Sequence, residues 1–335
     1  MRIKRIITLS AIALITALAA TFVTVSADSW STNFEAFHLG SVNGQSGWSV
    51  SNPAFDQSVV ANTYGYASFG DQSFRISDFY TSFSFGDQTF TKSLGNEAGE
   101  ADALNDGYSG GVRQSHFEAK FDLASTMAAL QPGMHVSVSP DRGDGARMSY
   151  LRFEDHSASD VYTSDTADAT HPAGSHYTEG IHVYFDDVTD PGHVVDGESF
   201  NETDIATISR APHTIKFVMD FVNGPDNDLV KIYIDGFLKI TGTSWEDYYR
   251  FDHESNPTLA VHSRTVDSLL IRESGANDPN NLGMGFLFDD FNLLSSNAPA
   301  NADGCKNGGW QNRTRNDGST FKNQGDCIQY VNTGK

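Results

Sequence analysis

The 335-residue chain has only two cysteines, Cys305 and Cys327, both near its C-terminus. The long stretch before them has no disulfide framework, so core size must hold it together. Positive charge is scarce: 22 lysines and arginines stand against 43 acids, for a net charge of −21. A surface so acidic repels nucleic acid and anionic membranes, which argues against both as partners. Helical periodicity is nearly absent; ASTMAALQPG (Ala124–Gly133) is the one short candidate, helix or turn. After residue 27 no apolar run is long enough to span a bilayer. The H-E-x-x-H and P-loop patterns are missing too, which removes their chemistries from consideration.

What is present begins with a leader. Arg2, Lys4 and Arg5 precede an apolar run from Ile6 to Val25, and Val25-Ser26-Ala27 offers small residues for cleavage. Residues 1–27 read as a secretory signal peptide, so the mature chain is expected outside the cell. In that oxidising compartment Cys305 and Cys327 pair with each other. Closing that loop would stabilise the tail by roughly 3 kcal/mol in the chain-entropy model. The 23 phenylalanines and 12 tyrosines supply the core that so acidic a chain needs to avoid disorder.

Alternation with period two recurs along the body. In HFEAKFDL, Phe117, Ala119 and Phe121 share a face; in YLRFEDH, Leu151 and Phe153 do. GIHVYFDDV turns Ile181, Val183 and Phe185 inward, and His182, Tyr184 and Asp186 outward. HTIKFVMDFV, LVKIYIDG and GFLFDDFNLL continue the pattern. One apolar face per strand, with polar turns between strands, predicts an all-β antiparallel sandwich over residues 28–296. SFGDQSFR and SFGDQTFT echo each other as two similar hairpin edges or loops, since two copies cannot make a solenoid. Residues 297–304 read as a linker, and residues 305–335 as a small disulfide-closed hairpin or knot.

Three stretches then carry a resemblance: NFEAFHLGSVNGQSGW, KIYIDGFLKITGTSWEDYYR and GFLFDDFNLLSS. They resemble secreted bacterial domains of the concanavalin-A-like (laminin-G-like) jelly-roll superfamily. That resemblance implies first and last strands lying side by side. It also implies a calcium ion shared by Glu35 and Asp289 or Asp290, helped by carbonyls of SVNGQSGW. Strict alternation puts Asp290 on the side of Phe286 and Phe288, where a lone carboxylate must be paired or metal-bound. The tail, with CKNGGW and FKNQGDCIQYV, resembles a short module appended to exported bacterial proteins, which implies no activity.

Such folds host lectins, glycanases and lyases alike, so the site must decide. Retaining glycanases of the family-16 type place carboxylates in a Glu-x-Asp-x-x-Glu run on one strand, and no glutamate here starts that run. Alginate lyases of this fold use Gln-Ile-His; here Gly180 replaces the glutamine before Ile181-His182. His171 and His176 sit in a Gly/Pro loop and read as solvated. Outward Tyr150, Arg152, His182 and Tyr184 suit a sugar if their strands are neighbours, with Arg147 and His156 gathering acidic groups. DRGDG before them, including Arg142-Gly143-Asp144, is the tip of a hairpin that rims such a groove. SWEDYYR is a structural clasp with Trp245 buried.

The sequence therefore predicts an exported, non-catalytic, lectin-like module that binds carbohydrate or an extracellular polysaccharide. The alternative is a polysaccharide lyase or glycoside hydrolase on the same fold.

Overall fold

The computed structural model describes residues 27–81, 87–101, 103, 111–143, 145–194, 197–251, 264–273, 278–299, 301–315 and 317–335. Residues 1–26 of the expected leader, and Asp144, lie outside the described residues.

The strands are, in order, β1 (Asp28–Thr32), β2 (Ser49–Val50), β3 (Gln57–Ala61), β4 (Gln72–Ile76), β5 (Thr89–Phe90) and β6 (Ala98–Gly99). There follow β7 (His116–Ser125), β8 (His135–Asp141), β9 (Tyr150–His156), β10 (Gly180–Thr189), β11 (Ser199–Ile208) and β12 (His213–Asp220). Last come β13 (Leu229–Ile234), β14 (Phe237–Gly242), β15 (Thr265–Val266), β16 (Ser268–Glu273) and β17 (Phe286–Ser296). Two short helices, α1 (Glu246–Phe251) and α2 (Gln324–Thr333), complete the set. No described helix is long and apolar enough to cross a membrane.

Two antiparallel sheets face each other as a jelly-roll sandwich. The first runs β14-β13-β12-β7-β17-β4-β3 with β1 added on β17, and the second β11-β10-β9-β8-β16-β5-β2. β1 lies along β17, from Asp28 opposite Ser295 to Thr32 opposite Phe291, so the chain's first and last strands are neighbours. β15 and β6 form a separate two-stranded ladder.

The alternation read from sequence is the core. Phe117, Ala119, Phe121, Ile215, Phe217 and Met219 from the first sheet meet Leu151, Phe153, Ile181, Val183 and Phe185 from the second, all buried in one cluster. Between β13 and β14, Asp235-Gly236 makes a two-residue turn with positive φ at both positions (52° and 79°), the hairpin geometry that Asp-Gly favours. The two SFGDQ copies part company. Gln72 to Arg75 of the first lies in β4, and Thr89–Phe90 of the second in β5, on the opposite sheet. ASTMAALQPG forms no helix; its first two residues end β7 and the rest is turn.

Three expectations are corrected. β17 does not alternate strictly: its register against β7 shifts by one residue between Asp289 and Asn292, and Asp290 takes a φ of 48°. The bulge lets Phe291 and Leu293 enter the core after Phe286 and Phe288. It leaves Asp289 buried and Asp290 half-exposed, the reverse of the alternating assignment. SWEDYYR is helical, because Ser244 Oγ accepts from the Glu246 amide (3.1 Å) and starts α1. Trp245 is buried as expected, its indole donating to the Asp186 carbonyl (3.1 Å).

The tail is also helical, where a hairpin or knot was expected. Asn323 caps α2 by accepting from the Asp326 amide (2.9 Å), and Gly334 ends it in a left-handed conformation. Cys305 and Cys327 are bonded, and Phe321 packs on the disulfide. The tail docks on the body: Arg313 donates to Ser115, and Thr314 N to Asn297 O.

Candidate functional site

The outer face of the second sheet collects the polar residues that alternation turns away from the core. Its register sets Tyr184 opposite Arg152, His182 opposite Glu154, and Asp186 opposite Tyr150. Across the next pairs, Asp186 faces Glu202 on β11, and Glu154 faces His135 on β8. Tyr150, Arg152, His182 and Tyr184 thus stand on neighbouring strands and one face, the condition their reading as a ligand set required.

Half of that face is sealed. The segment 157–179 folds over it, and Tyr177 stacks on both His156 (3.7 Å) and Tyr162 (3.8 Å). Tyr162 OH donates to Asp204 Oδ2 (2.5 Å), Tyr184 OH to Tyr177 OH (3.0 Å). His182 lies between Asp204 Oδ2 (Nδ1, 2.6 Å) and the Thr178 carbonyl (Nε2, 2.7 Å). Burial favours its neutral form, but those two acceptors outweigh it and raise its pKa. The open, solvated positions expected for His182 and Tyr184 are therefore corrected: each is 1 % exposed. With both ring nitrogens engaged by acceptors, His182 is no proton acceptor.

The other half is open. A groove of about 320 Å³ has Tyr150, Arg152, Asp186 and Glu202 in its floor. Arg147, Arg272 and His135 line it as well, and Phe200, Trp245 and Tyr248 form an aromatic wall. The Arg147 guanidinium lies 5.5 Å from the Tyr150 ring and 5.3 Å from the Trp245 ring. Arg152 pairs with Glu154 (2.5 Å) and Glu202 (2.7 Å) while lying over the Tyr184 ring.

Electrostatics divide the labour among these groups. Burial, with Arg152 and Arg272 nearby, pushes His135 down to about 4 despite Glu154 at 3.2 Å, so it is an uncharged imidazole at neutral pH. Burial also raises Tyr150, with Arg152 and Arg147 opposing, so its phenol keeps its proton. Asp186 rises to about 7 through burial and repulsion from Glu202 and Asp187. Glu202 is raised by burial, against the pull of Arg152. His156 lines a second cavity of about 320 Å³, beside Glu154 and His135.

Sequence reasoning missed His135, Arg272 and Glu202, and set Asp186 outward without using it. Asp186 is simply the next outward position after Tyr184. Glu202 lies on the strand at the sheet's edge, whose polar run, SFNETDIATI, carries no alternation signal.

Glu35, Asp289 and Asp290, the expected calcium ligands, are not among the described sets of three or more ligand-type side chains within 4.8 Å. Glu35 Oε1 accepts from the Asp71 (2.6 Å) and Gln72 (3.2 Å) amides. Asp289 is pushed up to about 8 by burial, with Asp290, Glu35 and Asp122 adding repulsion. Among the described residues, ligand-type side chains gather within 4.8 Å elsewhere: His193, Asp226 and Asp247 in one set, Glu100, Asp228 and Glu246 in another. In the second set Glu100 is already neutralised by Arg250 and Arg264.

No protein-family model and no curated protein matches the chain. Among solved structures it is similar to an alginate lyase, with 10 % identity over 79 % of this chain and 96 % of that one, at a TM-score of 0.43. An endo-beta-1,4-glucuronan lyase from the fungus Trichoderma reesei shares 13 % identity over 80 % and 96 % of the two chains, at 0.39. A carbohydrate esterase from the Shiga toxin-encoding bacteriophage phi24B shares 13 % over 79 % and 96 %, at 0.36.

Proposed function

We propose that this chain is an exported enzyme that cleaves acidic, uronate-containing polysaccharide by β-elimination in the groove beside α1. One observation carries the reading: Arg147, Arg152 and Arg272 line a single groove together with an uncharged imidazole, His135, and a protonated phenol, Tyr150. Elimination needs a carboxylate neutralised so that the adjacent carbon acid weakens, a base for that proton, and an acid for the leaving oxygen. The arginines hold the uronate carboxylate and spread the charge that develops on it. His135 takes the proton on C5, the C4–O bond breaks, and Tyr150 protonates the departing oxygen. The product carries a C4–C5 double bond at its new end. Trp245 and Tyr248 supply stacking surface for neighbouring sugars. Export suits the Cys305–Cys327 disulfide.

The non-catalytic reading rested on a lack of matched carboxylates, and Asp186 with Glu202 weakens it. Their opposition on adjacent strands puts their Cβ atoms roughly 5 Å apart, and supports a second reading, retaining hydrolysis. A panel of polyuronates and neutral glucans, followed by ultraviolet absorbance of unsaturated uronate and by reducing ends, separates the cases. Absorbance with new ends supports elimination. New ends alone support hydrolysis, and binding without either restores the lectin-like reading.

A further inference from the structure

Three segments far apart in sequence bring ligand-type side chains together at α1. His193 comes from the loop after β10, Asp226 from the turn between β12 and β13, and Asp247 from the first turn of α1. Their donor atoms all lie within 4.8 Å of one another. His193 Nε2 is 2.7 Å from Asp226 Oδ2, and the Phe251 ring stacks on the imidazole at 5.2 Å, which fixes its plane.

Asp247 is the informative member. It is 1 % exposed, yet neither carboxylate oxygen has a hydrogen-bond partner. The Asp226 amide and carboxylate both face it, the carboxylate near enough for the two acids to share a proton when no cation lies between them. Glu246 and Asp190 add further negative charge, and Arg250 of the same helix is paired with Glu100 and Glu246. A buried carboxylate facing a second one needs positive charge in the gap, either a shared proton or a bound cation, and the imidazole of His193 beside the pair favours the cation.

We propose that His193, Asp226 and Asp247 form a binding site for a divalent first-row transition ion, with Zn²⁺ as its reference occupant. An imidazole with two carboxylates is a donor set for such ions, whereas Ca²⁺ and Mg²⁺ take oxygen ligands alone. His193 and Asp226 are about two-fifths exposed, so an ion can enter from solvent and water can fill its fourth position. The ion ties α1 to both loops. Because Trp245 and Tyr248 flank Asp247, it also steadies the aromatic wall of the groove.

The test uses the full, untagged chain after removal of metal by a chelator. Calorimetric titration with Zn²⁺ should show one equivalent bound, with a raised melting temperature, and Co²⁺ should give a visible spectrum that Zn²⁺ quenches. His193→Ala, at a loop position two-fifths exposed, and Asp247→Asn should each weaken Zn²⁺ binding by at least about tenfold. Ca²⁺ at the same concentration should leave the melting temperature unchanged. Absence of stoichiometric binding would show that a shared proton fills the gap, and full affinity in His193→Ala would show that the ion binds elsewhere; either result overturns the site. None of these readouts depends on catalytic activity.

Discussion

The guanidinium carbon of Arg152 lies 4.3 Å from the centroid of the Tyr184 ring, on the seam between the sealed and open halves of the sheet face. Tyr184 is itself held by Tyr177, which the segment 157–179 lays over it. The sealed half therefore acts as a bed that aims Arg152 into the groove, where Glu154 and Glu202 hold its other edges.

Arg152→Lys should keep the charge and lose the geometry. A lysine cannot stack flat on Tyr184 while reaching both carboxylates, so stability should fall by about 1–2 kcal/mol. Affinity for acidic polysaccharide should fall about tenfold or more for want of the bidentate fork. Melting curves and binding isotherms read the two effects separately; unchanged affinity would remove Arg152 from the groove's function.

His135→Gln should slow elimination by roughly 10²–10⁴-fold with bound polysaccharide little affected, the signature of a lost proton acceptor. Because the imidazole titrates at about 4, it is the free base above that value. Activity of the natural chain should hold as pH drops past 6.5 and fail as it passes about 4. A rate already halved near pH 6.5 would point to a different base.

Asp186→Asn separates the two catalytic readings. The Asp186 carboxyl titrates at about 7, above its value in an unfolded chain, so the native state binds its proton more tightly. Its favourable contribution is full below the ordinary carboxylate range and is lost as pH rises through about 7. At pH 8 the asparagine variant should therefore melt higher than the natural chain. Elimination should survive the change, whereas a hydrolase relying on the Asp186–Glu202 couple would be inactivated.

His116 gives a pH dependence of opposite origin. Burial works against its charge, but Asp220 at 2.6 Å and Glu118 at 3.3 Å outweigh it and raise the imidazole to about 9. The stabilisation is complete below the unfolded value near 6.5 and disappears as pH rises through about 9. His116→Gln should cost on the order of 2–3 kcal/mol at pH 6 and much less at pH 10. Chemical denaturation at the two values tests this; an equal loss at both would assign the effect to packing alone.

The body's architecture was legible because strand alternation is local. Phe117, Ala119 and Phe121, or Ile181, Val183 and Phe185, announce their face by spacing alone, and all six are buried in the common core. The same rule put Tyr150 and Arg152 on the outer face. It failed at Asp290, where one bulged residue reverses every assignment after it, and at His182 and Tyr184, where outward did not mean exposed. Short helices escaped as well: α1 and α2 are six and ten residues long, started by Ser244 and Asn323 rather than by any long period.

By itself, then, the amino-acid order determined the sandwich, the bonded cysteines and the polar face, since each depends on near neighbours or on there being no other partner. Which half of that face stays open, which carboxylates oppose one another, and which histidine stays uncharged were decided only in three dimensions. Asp186 and Glu202 meet through strand register, and His135 acquires its low pKa from burial beside Arg152 and Arg272. Desolvation and cross-strand contact are properties of packed neighbours, and no spacing along one strand encodes them.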